Sequence, residues 1–485
     1  MTQRFSWLKQ ASLYNFRFVI GYGAIVLIVL VTLLVDINSL PNGISQAEMQ
    51  SAVQSTNISL KLPQYDWLIN APYHVLQKLS ISALGLSRLS LVLPSIAIGV
   101  LTLLLFWLTI RHWFKESTAV IATLVTASTI PFISMLRTGA PDIMLPFWTI
   151  LFLFAGVRFL INREKGFRWK LLLVVATAGL LYTPFGIYSF LAFVVGGIFH
   201  PHVRSRLRHV KRVRLLLLTV IFIGLIAPLL VALAHIPTMF YTLTGLDHTT
   251  LSPQRIVENL LHAIYLYGNF STSTLAGTYI TPAFNVASVV LMLLGFMQLV
   301  RNHHTAQSYA ILTWFGISVV VALLVSQSYA VVLMPVLMLL ANGIRTLINE
   351  WYELFPRNPY ARLAGLATLS VLFIGITTGN LSHYFHTLRY VDSPAYSASL
   401  SAVKRSIVIE GNRPMTLVTD VETADFYGIL TRSYPNVSVT STAPQTISQP
   451  TLVLPNVASA YDKAPSRIFV TFTKQNSVVL RVYRP

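Results

Sequence analysis

The chain consists mostly of long apolar stretches separated by short polar segments. A helix that crosses a bilayer needs about 20 mostly apolar residues. This criterion predicts about eleven spans, at 18–36, 89–110, 117–136, 143–161, 171–183, 185–199, 213–234, 282–300, 307–326, 329–348 and 361–380. The tetrapeptide Thr183-Pro184-Phe185-Gly186 between the two shortest spans favours a tight reversal. The pattern therefore predicts an all-α polytopic membrane protein.

Residues 381–485 have a different pattern, in which short runs of β-branched and aromatic residues predict strands. The predicted strands are 415–420, 437–442, 451–454, 467–472 and 477–483, and a helical pattern covers 422–431. We therefore divide the chain into a membrane domain, 1–380, and a small C-terminal α/β domain, 381–485.

Composition supports the membrane assignment. Of the 485 residues, 54% are hydrophobic and 11% are charged, whereas about a quarter of the residues of a soluble protein are charged. The chain has no cysteine, which excludes disulfides, zinc-thiolate sites and thiol nucleophiles.

The net charge of +19 comes from 35 basic and 16 acidic side chains. Basic residues of membrane proteins accumulate in short cytoplasmic loops. With the N-terminus inside, the predicted inner segments hold twenty Lys and Arg and the predicted outer loops hold five. This asymmetry predicts an N-in, C-out topology with an extracytoplasmic C-terminal domain. It also favours membrane lipids over nucleic acid as partners, and without an organelle signal we expect a multi-pass protein of a prokaryotic plasma membrane.

Six of the scarce acidic residues fall in predicted outer loops or at outer helix ends. Ionisable groups at the membrane face are functional candidates, although loops are also polar for no specific reason. The six are Asp36, Glu48, Asp66, Asp142, Asp247 and Glu258.

The first outer loop, 37–88, is too long for a simple connector. Ser45 and Glu48 have the spacing of a capping box, which predicts a helix from Gln46 and gives Glu48 a structural alternative. The stretch 66–81 is amphipathic and is expected to lie flat on the membrane. Its Trp67, Tyr73 and His74 suit the interface, and it also carries Lys78.

Two further outer sites carry charge. Arg137 and Asp142 flank a turn, and they either form a structural ion pair or share a polar cleft that holds a phosphate, a sugar hydroxyl or a metal. In the loop 235–281, a helix capped by Ser252 is predicted at about 253–267, where Arg255 and His262 are candidates to face a lipid headgroup.

The order of these motifs resembles the GT-C glycosyltransferases of the protein O-mannosyltransferase and lipid A aminoarabinose transferase type. The matching segments are PNGISQAE at 41–48, NAPY at 70–73, LPS at 93–95, PDIML at 141–145 and SYAVVLMP at 328–335. Ala47 stands where that family has the Asp of an Asp-Glu pair, and the lysine of the next element is missing. Val92 occupies an arginine position, with Arg88 one helical turn earlier.

The resemblance implies transfer of a sugar from a polyprenyl-phosphate donor to an acceptor at the outer membrane face. The acceptor is left open as a glycan, a lipid or a protein. Under this reading Glu48 is the general base and Asp142 a second carboxylate, and no metal ligands are assigned although a divalent cation is left open. The candidates for substrate contacts are Arg88, Arg137 and Lys78 for the phosphate, together with Asp66, Tyr73, His74 and Arg255.

Two other functions compete with this reading. The first is a transporter or flippase of lipid-linked sugars, although no charged residue lies in the middle of a predicted span. The second is a catalytically degenerate membrane scaffold, which the loss of the family Asp at Ala47 favours.

Overall fold

The structure is a computed structural model of the full chain. It describes residues 17–37, 43–58, 65–161, 166–208, 212–246, 252–268, 273–275, 278–280, 283–325, 330–355, 359–390, 400–411, 413–442, 448–454, 457, 464–471 and 478–484. Asp247 and His248 of the predicted outer loop lie outside the described residues.

The described part of the chain is mainly helical. The first half contains α1 Arg17–Leu34, α2 Gln46–Thr56, α3 Ala71–Leu84, α4 Arg88–Ile110, α5 Glu116–Ser128, α6 Ile130–Arg137, α7 Met144–Ile161, α8 Gly166–Leu181, α9 Gly186–Phe199, α10 Pro201–Arg208 and α11 Arg212–His235. The second half contains α12 Thr238–Thr244, α13 Pro253–Gly268, α14 Val286–Arg301, α15 Ala306–Leu324, α16 Ala330–Leu354, α17 Pro359–Tyr390, α18 Leu400–Glu410 and α19 Val421–Thr431.

Each of the eleven predicted spans is helical, although several helix ends differ from the predicted bounds and the third span holds two helices. Among the described residues, six helices are long and apolar enough to cross a membrane, or up to seven if the bent pair of α5 and α6 is one span. The number of crossings and their direction therefore stay predictions. The last predicted span, 361–380, continues as helix to Tyr390, so the predicted boundary at residue 380 falls inside α17.

The third predicted span, 117–136, is not continuous. It breaks into α5 and α6, which are bent by 66°. Thr129 at the break has extended backbone angles, and Pro131 follows two residues later. A continuous helix would place the proline ring against the carbonyl of Ala127 and leave that carbonyl without an N–H donor. The bend directs the end of α6, with Arg137, toward α1.

The membrane helices pack around α16, whose residues from Val331 to Ile344 are all buried. Gly343 of α16 faces Gly295 of α14, and a Cβ on Gly343 would lie 1.8 Å from the carbonyl oxygen of Leu291. A Cβ on Gly295 would lie 2.1 Å from the carbonyl oxygen of Leu339. Small residues allow the backbones of two membrane helices to approach closely, so these glycines set the distance between α14 and α16.

The C-terminal residues form the predicted small sheet. Its strands are β3 Met415–Val418, β4 Val437–Thr440, β5 Thr451–Val453, β6 Arg467–Thr471 and β7 Val478–Tyr483, and a separate hairpin in the membrane domain contains β1 Ser273–Leu275 and β2 Thr278–Ile280. The strand order is β4-β3-β5-β7-β6. Strands β4, β3 and β5 are parallel, and β7 runs antiparallel to both β5 and β6. Helix α19 connects β3 to β4, as a crossover between parallel strands requires.

The sheet domain shares a hydrophobic core with the first outer loop. Ile44, Met49 and Ala52 around α2 belong to one buried cluster with Phe426 and Leu430 of α19. At the edge of this contact, Gln46 Nε2 donates a hydrogen bond of 2.9 Å to Glu422 Oε2. The C-terminal domain therefore supports the helix that carries Glu48.

The glycine contact gives a test of the packing. A helical Gly→Ala substitution gains up to about 1 kcal/mol where the methyl group has room, whereas overpacking costs about 1–3 kcal/mol. We expect Gly343→Ala to lower the thermal unfolding temperature of the detergent-purified protein. Gly375→Ala in α17, where a Cβ meets nothing within 4 Å, is the matched control and should leave it unchanged or raise it. Equal effects of the two substitutions would contradict the close contact.

Candidate active site

A buried ion pair joins the first outer loop to the second predicted span. Glu48 is fully buried and Arg88 is 7% exposed, and Arg88 Nη1 lies 2.9 Å from Glu48 Oε2. Glu48 is at the third position of α2, where its Oε2 accepts hydrogen bonds from the backbone N–H and the hydroxyl of Ser45. Ser45 Oγ in turn accepts from the Glu48 backbone N–H, which completes the predicted capping box.

The same pair holds the segment that precedes Asp142. Glu48 Oε1 accepts a hydrogen bond of 2.7 Å from the backbone N–H of Gly139. Arg88 donates to the carbonyl oxygens of Gly43, at 3.0 Å, and Arg137, at 3.3 Å. Gly139 packs tightly, since a Cβ there would lie 3.0 Å from Leu91 Cβ. The first outer loop, the start of α4 and the segment after α6 thus meet at the buried Glu48–Arg88 pair.

Helix α3 has its polar side chains inside and its apolar side chains outside. The buried polar side chains are Tyr73, His74, Gln77 and Ser80. The exposed apolar side chains are Val75, Leu76, Leu79 and Leu84. Lys78 is exposed on the outer side. This inverted arrangement is stable only where the outer side meets an apolar medium, as at a membrane interface.

The buried side of α3 forms a hydrogen-bonded network with α2. Gln77 Oε1 accepts from the hydroxyls of Ser51, at 2.8 Å, and Ser55, at 2.6 Å. Because the single Ser55 proton is used in this way, His74 Nδ1, at 2.9 Å, carries a proton and donates to Ser55 Oγ. Burial lowers the pKa of His74 to about 4, so the imidazole is neutral at physiological pH.

A second set of bonds joins α3 to the residues before Asp142. Ser95 Oγ donates a hydrogen bond of 2.5 Å to the carbonyl of Thr138, so the Tyr73 hydroxyl, 2.8 Å from Ser95 Oγ, is the donor in that pair. Burial raises the pKa of Tyr73 well above its usual range, and its phenol stays protonated. Tyr73 and His74, predicted as substrate contacts, thus lie inside the protein as parts of this network.

Asp142 differs from the residues that surround it, because its side chain is exposed. It lies in a short 3₁₀ helix, Pro141–Ile143, between two buried residues, Ala140 and Ile143. Its carboxylate interacts electrostatically with Glu48, and both carboxylates interact with Tyr73. The structure therefore brings together Glu48 and Asp142, and of the two only Asp142 has an exposed side chain.

Arg137 is the last residue of α6, and its side chain reaches the C-terminal end of α1. Its Nη1 donates to the carbonyl oxygens of Val35, at 2.8 Å, Leu33 and Thr32. Its guanidinium also lies 5.0 Å from the ring centre of Phe385 in α17. A cation at a helix C-terminus binds the last carbonyls and complements the helix dipole. This position accounts for Arg137 without a bound phosphate.

The remaining predicted residues lie at separate places in the outer segments. Asp66 begins the 3₁₀ helix Asp66–Leu68. Arg255 is half-buried on α13, where its backbone N–H donates to Ser252 Oγ, as the predicted cap requires. Helix α13 packs on α15, and its Asn259 donates to the Leu323 carbonyl. Within the described part of the chain, no group of three or more His, Asp or Glu side chains is placed to hold a metal ion.

Four residues that hold the loop were not predicted from the sequence, namely Gln77, Ser51, Ser55 and Gly139. A signal existed for Gln77, because Tyr73, His74, Gln77 and Ser80 repeat at helical spacing. We expected Tyr73 and His74 to lie at the membrane interface, whereas the whole stripe faces the protein.

Comparison with known proteins agrees with this architecture. A family model described as dolichyl-phosphate-mannose-protein mannosyltransferase matches residues 72–231. Comparison with curated protein sequences gives no match. Among solved structures, ArnT from Cupriavidus metallidurans in the apo state is similar, with a TM-score of 0.58 and 13% identity over 95% of this chain and 98% of that chain.

Two further structures are similar. ArnT from the same organism bound to undecaprenyl phosphate gives a TM-score of 0.54 and 13% identity over 95% of this chain and 97% of that chain. The oligosaccharyltransferase of Archaeoglobus fulgidus, tethered to an acceptor peptide, gives a TM-score of 0.52 and 12% identity over 90% of this chain and 64% of that chain.

The chain thus has the fold of ArnT and is a membrane protein with several apolar helices. The resemblance to the GT-C glycosyltransferases that its motifs indicate is confirmed by the family-model match over residues 72–231 and by the ArnT-like fold.

The burial of the ion pair predicts the effect of removing one charge. Glu48→Gln keeps the shape but leaves Arg88 buried without a counter-charge, which costs about 3–5 kcal/mol. We expect a large drop in the thermal unfolding temperature in detergent. The control is Glu116→Gln, since the Arg111–Glu116 pair is exposed with its charged atoms 3.9 Å apart and is worth about 0–1 kcal/mol. A Glu48→Gln protein as stable as the control would contradict a structural role for the pair.

Proposed function

We propose that this protein is a membrane glycosyltransferase that moves a sugar from a polyprenyl-phosphate donor to an acceptor hydroxyl. The observation that carries the proposal is the exposed carboxylate of Asp142, held beside the buried polar network of Glu48, Arg88 and Gln77. The ArnT-like fold and the match to a mannosyltransferase family model over residues 72–231 support the same class of reaction.

In this proposal Asp142 is the general base. Its carboxylate takes the proton of the acceptor hydroxyl as the acceptor oxygen attacks the anomeric carbon of the donor sugar. The bond between that carbon and the phosphate oxygen breaks, and the polyprenyl phosphate leaves with the bonding electrons. The proton on Asp142 then passes to solvent, which the exposure of the side chain permits.

This assignment changes the role that the sequence suggested for Glu48. A general base must reach the acceptor proton within hydrogen-bonding distance. Glu48 has no exposed surface, and its two oxygens already accept from Ser45, Arg88 and Gly139. We therefore propose that Glu48 fixes the loop that carries the base.

Lys78 is the proposed contact for the donor phosphate. Arg88 and Arg137 are buried and bonded to backbone carbonyls, whereas Lys78 is exposed on a helix whose outer side is apolar. A lipid-linked phosphate has the matching chemistry, with an apolar tail beside Leu76 and Leu79 and a charge beside Lys78. A cation there would stabilise the negative charge that develops on the leaving group. The ArnT structure with undecaprenyl phosphate shows such a lipid bound to a protein of this fold.

We place the reaction at the outer face of a prokaryotic plasma membrane. The support is the distribution of twenty basic residues on the predicted inner side against five on the outer side. By this topology the C-terminal domain is extracytoplasmic. Its contact with α2 through Gln46 and Glu422 suits a domain that supports the active-site loop, and the acceptor is a glycan, a lipid or a protein with a free hydroxyl.

The experiment is turnover of radiolabelled polyprenyl-phosphate sugars by the purified protein in lipid vesicles. Loss of a general base costs about 10²- to 10⁴-fold in rate, so Asp142→Asn should reduce kcat by that factor without a change in thermal stability. Glu258→Gln, which removes an exposed carboxylate on α13, is the matched control and should retain the wild-type rate. Full activity of Asp142→Asn would exclude Asp142 as the base.

The same assay tests Lys78. Lys78→Gln should raise the KM for the lipid donor, because the substitution removes a charge that binds the phosphate of the donor. Lys115→Gln, at the predicted inner side, should leave KM unchanged. If the wild-type protein gives no transfer but moves a lipid-linked sugar into sealed vesicles, the protein is a flippase and the proposed function is wrong.

A further inference from the structure

The backbone at Gly139 is held by hydrogen bonds on both sides of its Cα. Its N–H donates to Glu48 Oε1 at 2.7 Å, and its carbonyl oxygen accepts from Gln77 Nε2 at 2.8 Å. Gly139 lies three residues before Asp142, and Pro141 between them restricts the backbone. The direction of the Asp142 carboxylate therefore depends on the orientation of the two peptide groups that flank Gly139.

The orientation of the Gln77 amide is determined by its surroundings. Nε2 contacts two backbone carbonyls, those of Gly139, at 2.8 Å, and Leu91, at 3.3 Å. Carbonyl oxygens only accept, so the amino group must be on this side. Oε1 accepts from the hydroxyls of Ser51 and Ser55. Gln77 is fully buried, and every polar atom of its side chain has a partner.

From this geometry we infer that Gln77 is a positioning residue for the reaction: together with Glu48 it holds the backbone at Gly139, an arrangement we call the latch, and so directs the carboxylate of Asp142 toward the acceptor. The inference rests on the proposed function, because it assigns Gln77 a part in the same transfer. Glu48 and Gln77 hold the two peptide groups on either side of the Gly139 Cα, so the loss of either side chain lets one of these groups rotate.

Two substitutions, Gln77→Glu and Gln77→Met, remove different hydrogen bonds of the latch. Glu at this position can still accept from the two serine hydroxyls, but it has no N–H for the Gly139 carbonyl and places two acceptors together. Met is similar in length and flexible. It removes both the hydrogen bonds that Oε1 accepts from the two serines and those that Nε2 donates to the backbone carbonyls, without adding a charge. Neither substitution alters an atom that touches the donor in the proposed mechanism.

The test combines kinetics with hydrogen–deuterium exchange on Gln77→Met, Gln77→Glu and the control Gln54→Met. Gln54 is exposed on α2, so the control makes the same chemical change outside the latch. A displacement of a catalytic group by about 1 Å can cost on the order of 100-fold in rate. We expect both Gln77 variants to lose kcat on that scale with an unchanged KM for the donor, and we expect faster exchange in peptides that cover 137–143. Gln54→Met should match the wild type in both measurements.

The possible results distinguish the role of Gln77 in holding the loop from the proposed glycosyltransferase activity. Unchanged exchange in a folded Gln77→Met protein overturns the latch, whatever the activity. Faster exchange with an unchanged kcat shows that the loop is released without effect on the reaction, which overturns the positioning role. A rise in the KM for the donor with an unchanged kcat also overturns it, because that result places Gln77 in donor binding. If the wild type gives no transfer, the proposed function fails and the positioning role fails with it, while the exchange data still decide whether Gln77 holds the loop.

Discussion

The ion pair between Glu48 and Arg88 is the interaction on which the site depends. Burial of two charges is costly unless they are paired and their remaining hydrogen-bonding groups have partners. Here Arg88 also binds the carbonyls of Gly43 and Arg137, and Glu48 binds the Gly139 amide. The pair can therefore form only when the first outer loop, the start of α4 and the end of α6 are all in place.

The apolar surroundings explain why this polar network can lie where it does. Helix α3 faces Gln77 and its neighbours inward and presents Val75 and Leu79 outward. On the opposite side of the loop, α2 packs on α19 of the C-terminal domain. The network is thus enclosed between α3 and the C-terminal sheet with its helix α19, and Asp142 is an exposed acidic group beside it.

The sequence predicted the elements better than their contacts. Hydrophobic periodicity located a helix at each predicted span and all five C-terminal strands, because these patterns are local. The capping box of Glu48 was also predictable, since Ser45 is three residues away. The bond from Glu48 to Arg88 was not, because it joins residues 40 positions apart. The inward direction of the polar side of α3 was missed for a related reason: the medium around a helix, which decides which side is buried, is not part of its sequence.

The most direct measurement of the central claim is a double-mutant cycle on the free energy of unfolding with Glu48→Gln and Arg88→Gln. If the pair organises the site, each single substitution leaves an uncompensated buried charge, and the double substitution costs less than the sum by at least about 2 kcal/mol. Additive losses, with a coupling energy within about 0.5 kcal/mol of zero, would show that the two side chains act independently and would contradict this account.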